Sequence, residues 1–267
     1  MTNEFERSQA LAAAKSYERF FVPTIGRPVA EQLVAAARLR PGERVLDVGC
    51  GTGIVARLAV EEVGEGGSVA GADINPAMLA VARAAAPAEV AVEWHQAPAE
   101  SMPLGDDTFD VVLCQMSLQF FQDRVQGLRE MRRVLAPGGR ALVNLPGPMT
   151  PFFAALAEAF ERHLGARAAG FVRQVFSLCD PGEVEDLLRR GGFEKVDVRR
   201  ESLPLALPGA AEFLAGYVAS TPLSALWAAA EEPARDAARR EVLEAWAPVA
   251  GEQGIRVEQP TVLAVAA

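Results

Sequence analysis

Two lysines, two histidines and three cysteines are all that this 267-residue chain holds of those types, and each shortage removes a class of function. With 26 basic against 35 acidic residues the formal net charge is −9, and no run of Lys or Arg interleaves with aromatics. The electrostatic footprint of a phosphate-tracking protein is therefore missing, and nucleic acid is not an expected partner. Cys50, Cys114 and Cys179 are odd in number, widely spaced and free of the CxxC spacing of zinc or redox sites, which points to a reduced, cytoplasmic setting. No window approaches the roughly 20 uninterrupted apolar residues of a membrane-spanning helix. The opening MTNEFERSQA also lacks a basic-then-apolar signal pattern. The expectation is a soluble, cytoplasmic protein that works on neither membranes nor nucleic acid.

Half of the residues are apolar, enough for a sizeable core, and the length fits one α/β domain, residues 1–267, carrying an insertion. Residues 7–22 place Leu11, Tyr17, Phe20 and Phe21 among alanines in a helical pattern that Pro23 should close; 28–39 predict a second helix ended by RPGE. RVLDVG at 44–49 reads as a short strand and the following GIVARLAVEEV as an amphipathic helix. The alternation continues with strand 68–73, helix 76–86, strands 90–96 and 109–115, helix 124–135, a PGG turn and strand 140–146. Strands separated by helices of about 10 to 15 residues imply crossover units and a parallel sheet.

Beyond that core, 151–180 is helical with Phe and Leu at three- and four-residue spacing, EVEDLLRRGGF is a further helix and KVDVRRESLPL a strand. An alanine-rich helical stretch at 208–247 and a last strand, GIRVEQPTVLAVAA, complete the chain. With no repeat and no interdomain linker, the helices at 148–180 and 208–247 read as a cap built into one domain.

VLDVGCGTG at 45–53 carries the chemistry. A strand feeding a glycine-rich turn and then a helix makes a nucleotide site, because glycine lets backbone approach the ligand and the helix start offers unpaired N–H groups. Gly49, Gly51 and Gly53 give GxGxG, whereas a dinucleotide fingerprint needs glycine at 54, where Ile54 stands; no Lys–Ser/Thr pair follows, so a phosphate-cradling loop is excluded as well. A ligand without a pyrophosphate is favoured. Twenty residues after Gly53, Asp73 ends the second strand, where a carboxylate can accept both hydroxyls of a ribose.

VLDVGCGTG, GADINPAMLAVA, PAESMPLGDDTFDVVLC and LREMRRVLAPGGRALV together resemble the class I S-adenosylmethionine-dependent methyltransferases, most of all the small-molecule branch that contains the ubiquinone/menaquinone C-methyltransferases. Four motifs in order over 44–146 carry the likeness. It implies a Rossmann-like, mostly parallel seven-stranded sheet with helices on both faces, an antiparallel last strand and an inserted helical cap. Residues 1–40 become lid helices and 41–147 the cofactor-binding core. S-adenosylmethionine is the implied cofactor and S-adenosylhomocysteine the product. The methionine part would lie along Gly49, Cys50, Gly51 and Gly53 with Asp47 at the base of the loop; Asp73 would hold the ribose, and Ile74 and Met78 the adenine. Where the family has an Asp that takes the adenine amino group, this chain has Pro98, which leaves adenine to Ala99 and Glu100. Gln115 matches a position that reaches the cofactor from the opposite side.

The acceptor is expected to be a small hydrophobic or aromatic molecule, methylated on oxygen or carbon before nitrogen, since the cap is apolar. Positioning alone can supply much of the rate, so a base is optional. His95 and His163 are the histidine candidates and Tyr17 a third, each with a structural role as its bland alternative. Tyr17, Phe21, Gln119 and Phe120 are the candidate substrate-pocket residues. Asp106 and Asp107 read as a turn and Asp110 as a structural strand start; Cys114 stands where a metal-dependent relative would place Asp, so no metal is implied. A homodimer face is an equal reading of the apolar cap. Two alternatives stay open: a nicotinamide-dependent oxidoreductase of the same fold, and a protein that binds S-adenosylmethionine without turnover.

Overall fold

Helix α1, Thr2–Ser16, does not stop at Pro23: it runs on through a ten-residue π-helical segment, Tyr17–Gly26, into α2, Arg27–Ala37. This computed structural model describes residues 2–86 and 91–267. The expectation that proline ends the helix fails because the wider winding absorbs it. The Arg27 N–H reaches back five residues to Val22 O, and the Thr24 hydroxyl donates to Phe20 O at 2.5 Å in the turn the proline loosens. Arg38, left-handed at φ +48°, then ends α2.

The alternating part follows as expected from the sequence. It comprises β1 Arg44–Val48, α3 Ile54–Val63, β2 Ser68–Asp73, α4 Pro76–Ala85, β3 Val92–Gln96 and β4 Phe109–Gln115. A 3₁₀ turn, Leu118–Phe120, leads to α5 Arg124–Val134 and β5 Leu135–Pro146. Val90, placed by the sequence at the start of the third strand, lies outside the described residues. Helix starts are capped locally, Asn75 and Asp123 accepting from Ala77 and Gln126 N–H at 2.9 and 3.0 Å. The remaining elements are α6 Pro151–Leu164, α7 Ala166–Val175, α8 Pro181–Arg190, β6 Val196–Leu207, α9 Ala210–Ala219, α10 Leu223–Ala229, α11 Glu232–Trp246, β7 Ala250–Gly251 and β8 Gly254–Ala266. Among the described residues no helix is long and apolar enough to cross a membrane.

Strand order is β3-β2-β1-β4-β5-β8-β6. Five strands are parallel, and β8 runs antiparallel between β5 and β6. The two-residue β7 pairs with the start of β8, one strand more than the seven expected. One sheet face packs Leu128, Met131 and Val134 of α5 and Val184 and Leu188 of α8; the other packs Leu33 and Val34 of α2 and Val55 and Ala59 of α3.

A third core lies off the end of the sheet. Strand β5 pairs with only the last part of β8, Thr261–Ala266, so residues 202–207 of β6 and 255–260 of β8 overhang as an antiparallel pair of strands. Leu205, Leu207 and Ile255 on that overhang pack with Phe152, Phe160 and Phe213 of the surrounding helices. Trp246 seals the layer, stacked on Phe152 at 4.2 Å with its indole N–H donated to Phe152 O at 2.8 Å.

Candidate active site

From β1 the chain steps to β2 on one side, and later returns to lay β4 on the other, so a crevice opens at the carboxyl ends of β1 and β4. The glycine loop fills its rim. Gly49, Gly51 and Gly53 take φ of +67°, +53° and +83°, and Gly49 and Cys50 N–H both donate to Ala72 O at 2.8 and 3.1 Å, pinning the loop to β2. A Cβ on Gly49 would stand 2.0 Å from Ser117 Oγ and one on Gly53 2.4 Å from Trp94 Cη2, whereas one on Gly51 would meet nothing within 4 Å. Two of the three glycines thus make room for the protein's own side chains. Only Gly51 presents bare backbone to open space.

Asp73 locks that backbone in place. Its Oδ2 accepts the Gly51 N–H at 2.8 Å and its Oδ1 the Asn75 N–H at 2.7 Å, and burial raises its carboxyl against those two donors. Asp47 is 1% exposed beneath the loop, its Oδ2 accepting Ala56 N–H at 3.1 Å. It supplies the cap that Gly53, without a side chain, cannot give to α3. Burial pushes its carboxyl up to about 7, with the Asp73 charge adding and the Ala56 N–H and Arg57 opposing. Arg57 ties the loop to the N-terminal segment: its guanidinium donates to Thr52 O and to Glu18, both at 2.7 Å.

Around the crevice, Ile74 is 62% exposed beside Asp73, and Met78 is half-buried. Cys50 is buried against Gly71, and burial raises its thiol. Glu100 spends Oε1 on Gln122 and Asp123 N–H, at 2.8 and 3.2 Å, and so holds the loop after β4; Ala99 packs on the core below. Gln115 donates to Gly26 O at 2.9 Å and leaves Oε1 buried without a partner.

Beside Met78 a cavity of about 270 Å³ runs under the off-sheet helices. Tyr17, Phe21, Gln119 and Phe120, the residues expected there, all line it. The sequence reading missed Met116, Phe171, Val175, Tyr217 and the turn 220–222, which line it too. Two signals were available: Tyr217 is one of the chain's two tyrosines, and Met116 directly follows the central strand, where it adopts φ +46°.

The histidines go elsewhere. His95 sits on β3, 3.3 Å from Glu93, and His163 of α6 bonds Glu241 of α11 at 2.8 Å beside Arg162; neither lines the cavity. Asp110 is clasped by Arg44 at 2.8 and 3.1 Å, Asp106 pairs with Arg133 at 2.7 Å, Asp107 turns the chain at φ +53°, and Cys114 is fully buried.

The signature of the methyltransferase domain matches residues 46–143, the stretch from β1 to β5. The nocamycin O-methyltransferase of Saccharothrix syringae is 33% identical over 263 residues, which cover 90% of this chain and 88% of that protein. The ubiquinone/menaquinone biosynthesis C-methyltransferase of Stenotrophomonas maltophilia is 43% identical over 113 residues, only 41% of this chain and 45% of its own length. Phosphoethanolamine N-methyltransferase 2 of Haemonchus contortus, solved in complex with S-adenosyl-L-methionine, shares the fold with a TM-score of 0.55 at 21% identity, over 89% of this chain and 51% of that one. The chain belongs to the class I S-adenosylmethionine-dependent methyltransferases. Its reaction is methyl transfer to a small-molecule acceptor, the chemistry of its methyltransferase relatives and not of a nicotinamide-dependent oxidoreductase.

Proposed function

We propose that the crevice over β1 and β4 holds S-adenosylmethionine, and that the adjoining cavity takes a small hydrophobic or aromatic acceptor methylated on oxygen or carbon in preference to nitrogen. Gly51 carries the reading: its backbone is left-handed and its Cβ direction is empty, a cradle that a side chain would fill. Three further observations fit the same cofactor. Asp73 stands fixed with lone pairs left on both oxygens for sugar hydroxyls, Ile74 offers an exposed apolar face next to it, and Gln115 keeps a buried acceptor unpaired. The remaining expected contacts, Asp47, Gly49, Cys50, Gly53, Met78 and Ala99, serve this reading by shaping the crevice; Glu100, engaged by the 122–123 backbone, has one oxygen left for it.

Bound there, the cofactor supplies a methyl group on a positively charged sulfonium. The chain's own part is to orient the acceptor and exclude water, since among the described residues no Lys, Arg, His, Asp or Glu lines the cavity. Preference for oxygen or carbon is supported by the names of the nocamycin and quinone relatives, and an apolar acceptor by the wall of Phe21, Met116, Phe120, Phe171 and Val175. The three unpaired cysteines support a cytoplasmic setting.

Titration calorimetry with S-adenosylhomocysteine tests the cofactor half. Wild type should bind, and Asp73→Ala should bind about tenfold or more weakly, the loss expected for a hydrogen bond to a charged group. No heat with wild type, or an unchanged affinity in the variant, overturns the assignment. Production of S-adenosylhomocysteine across hydroxylated, quinoid and amine acceptors tests the other half.

A further inference from the structure

The polar groups on the cavity wall can be counted proton by proton. Ser220 donates its hydroxyl proton to Gly216 O at 2.7 Å and Thr221 donates to Tyr217 O at 2.8 Å, both closing the end of α9, so each is left with lone pairs only. Gln119, 2% exposed, spends one of its two amide protons on Met116 O at 3.0 Å, and its Oε1 is buried without a partner. Besides the second Gln119 amide proton, the side-chain donors left on the wall are the hydroxyls of Tyr17 and Tyr217, for which the described residues show no hydrogen bond.

These are the only two tyrosines in the chain, and they arrive from opposite ends of it, one on the π-helical segment and one on α9. Phe21 stands between them, stacked on Tyr17 at 4.6 Å and tilted against Tyr217 at 6.5 Å, so both rings are held by aromatic packing and not by their polar ends. Burial raises both phenols, with the Asp73 charge adding at Tyr17, so both keep their protons throughout the physiological range.

We infer that Tyr17 and Tyr217 select the methyl acceptor by donating their hydroxyls to a carbonyl-type oxygen of an uncharged, apolar molecule; the inference rests on the methyl-transfer reading of the same site. With no charged side chain among the described residues of the wall, nothing there can ion-pair a carboxylate, phosphate or ammonium group, and a desolvated charge left unpaired is heavily penalised. A ketone or quinone oxygen, by contrast, finds the donors that the protein leaves unused.

The test is calorimetric titration of α-tetralone, its carbonyl-free analogue tetralin, and 1-naphthoate into protein saturated with S-adenosylhomocysteine. Wild type should bind α-tetralone about fivefold or more tightly than tetralin, the worth of a hydrogen bond not already made within the protein. In Tyr17→Phe/Tyr217→Phe, which keeps both rings, that advantage should fall to about twofold or less, with melting temperature and S-adenosylhomocysteine affinity held; 1-naphthoate should bind about tenfold or more weakly than the ketone. Should the double variant fail to fold, each single variant must lose part of the advantage. An advantage that survives loss of the hydroxyls, a ketone no tighter than tetralin, or naphthoate binding as well as the ketone overturns the inference. A tyrosine-dependent ketone advantage in a protein that takes up no S-adenosylhomocysteine would instead sink the cofactor reading alone.

Discussion

Replacing Gly51 by alanine separates a backbone requirement from a ligand requirement. At φ +53° an L-residue costs about 1–2 kcal/mol. Nothing lies within 4 Å of the added methyl, so no collision adds to that cost. For a domain of this size the melting temperature should fall by about 2–4 °C. With the cofactor in the crevice the same methyl overfills the site, at about 1–3 kcal/mol, so S-adenosylhomocysteine affinity should drop about five- to 150-fold. Gly49→Ala provides the contrast. Its Cβ would stand 2.0 Å from Ser117 Oγ at φ +67°, so stability should suffer first and more severely. Differential scanning fluorimetry and calorimetry on both variants check the pair. A Gly51→Ala protein with the modest melting shift but wild-type cofactor affinity would refute the argument that the open side of this glycine faces the ligand.

Two further outcomes follow from the buried carboxylate and the clasped histidine. Asp47 ionises at about 7 in the fold against an ordinary 3.8, so between those values the folded chain holds a proton that the unfolded chain has released, and wild-type stability falls as pH rises through that window. Asp47→Asn should therefore gain on wild type above pH 7 and not near pH 4, by at most about 4 kcal/mol at 1.36 kcal/mol per pH unit; a melting-temperature gap equal at pH 5 and 8.5 would contradict it. His163→Gln should leave turnover unchanged, because its partner is Glu241 and not the cavity; a tenfold loss in kcat at constant melting temperature would restore it as a candidate base.

The parallel core was legible because strand, GxGxG and helix are contiguous, and because Asp73 falls at a strand end where sheet topology puts ligands. Tyr217 and the 220–222 turn were not legible. They reach the cavity only because β6 carries the chain back over the crevice, a pairing of residues 196–207 with 255–266 that no local pattern encodes. Pro23 misled because the wider π winding eases the clash between the proline ring and the carbonyl four residues back that α winding enforces. The PGG sequence was read as a turn before the fifth strand, but the strand takes it in: pairing starts at Leu135 and slips register between Phe109 and Val111. Glu100 illustrates a different limit, since its residue type suits a ligand contact, yet the chain's own backbone at 122–123 claims one oxygen first.

The overhanging strand pair of β6 and β8 works as a cantilever. On one side of the acceptor chamber, α9 and the turn after it ride on beams that leave the sheet beyond β5, while Met78, Met116, Gln119 and Phe120 on the other side come from the core itself. Such a plan leaves the outer side of the chamber free to vary, and the domain signature ends at residue 143, inside β5, before the helices that form that side.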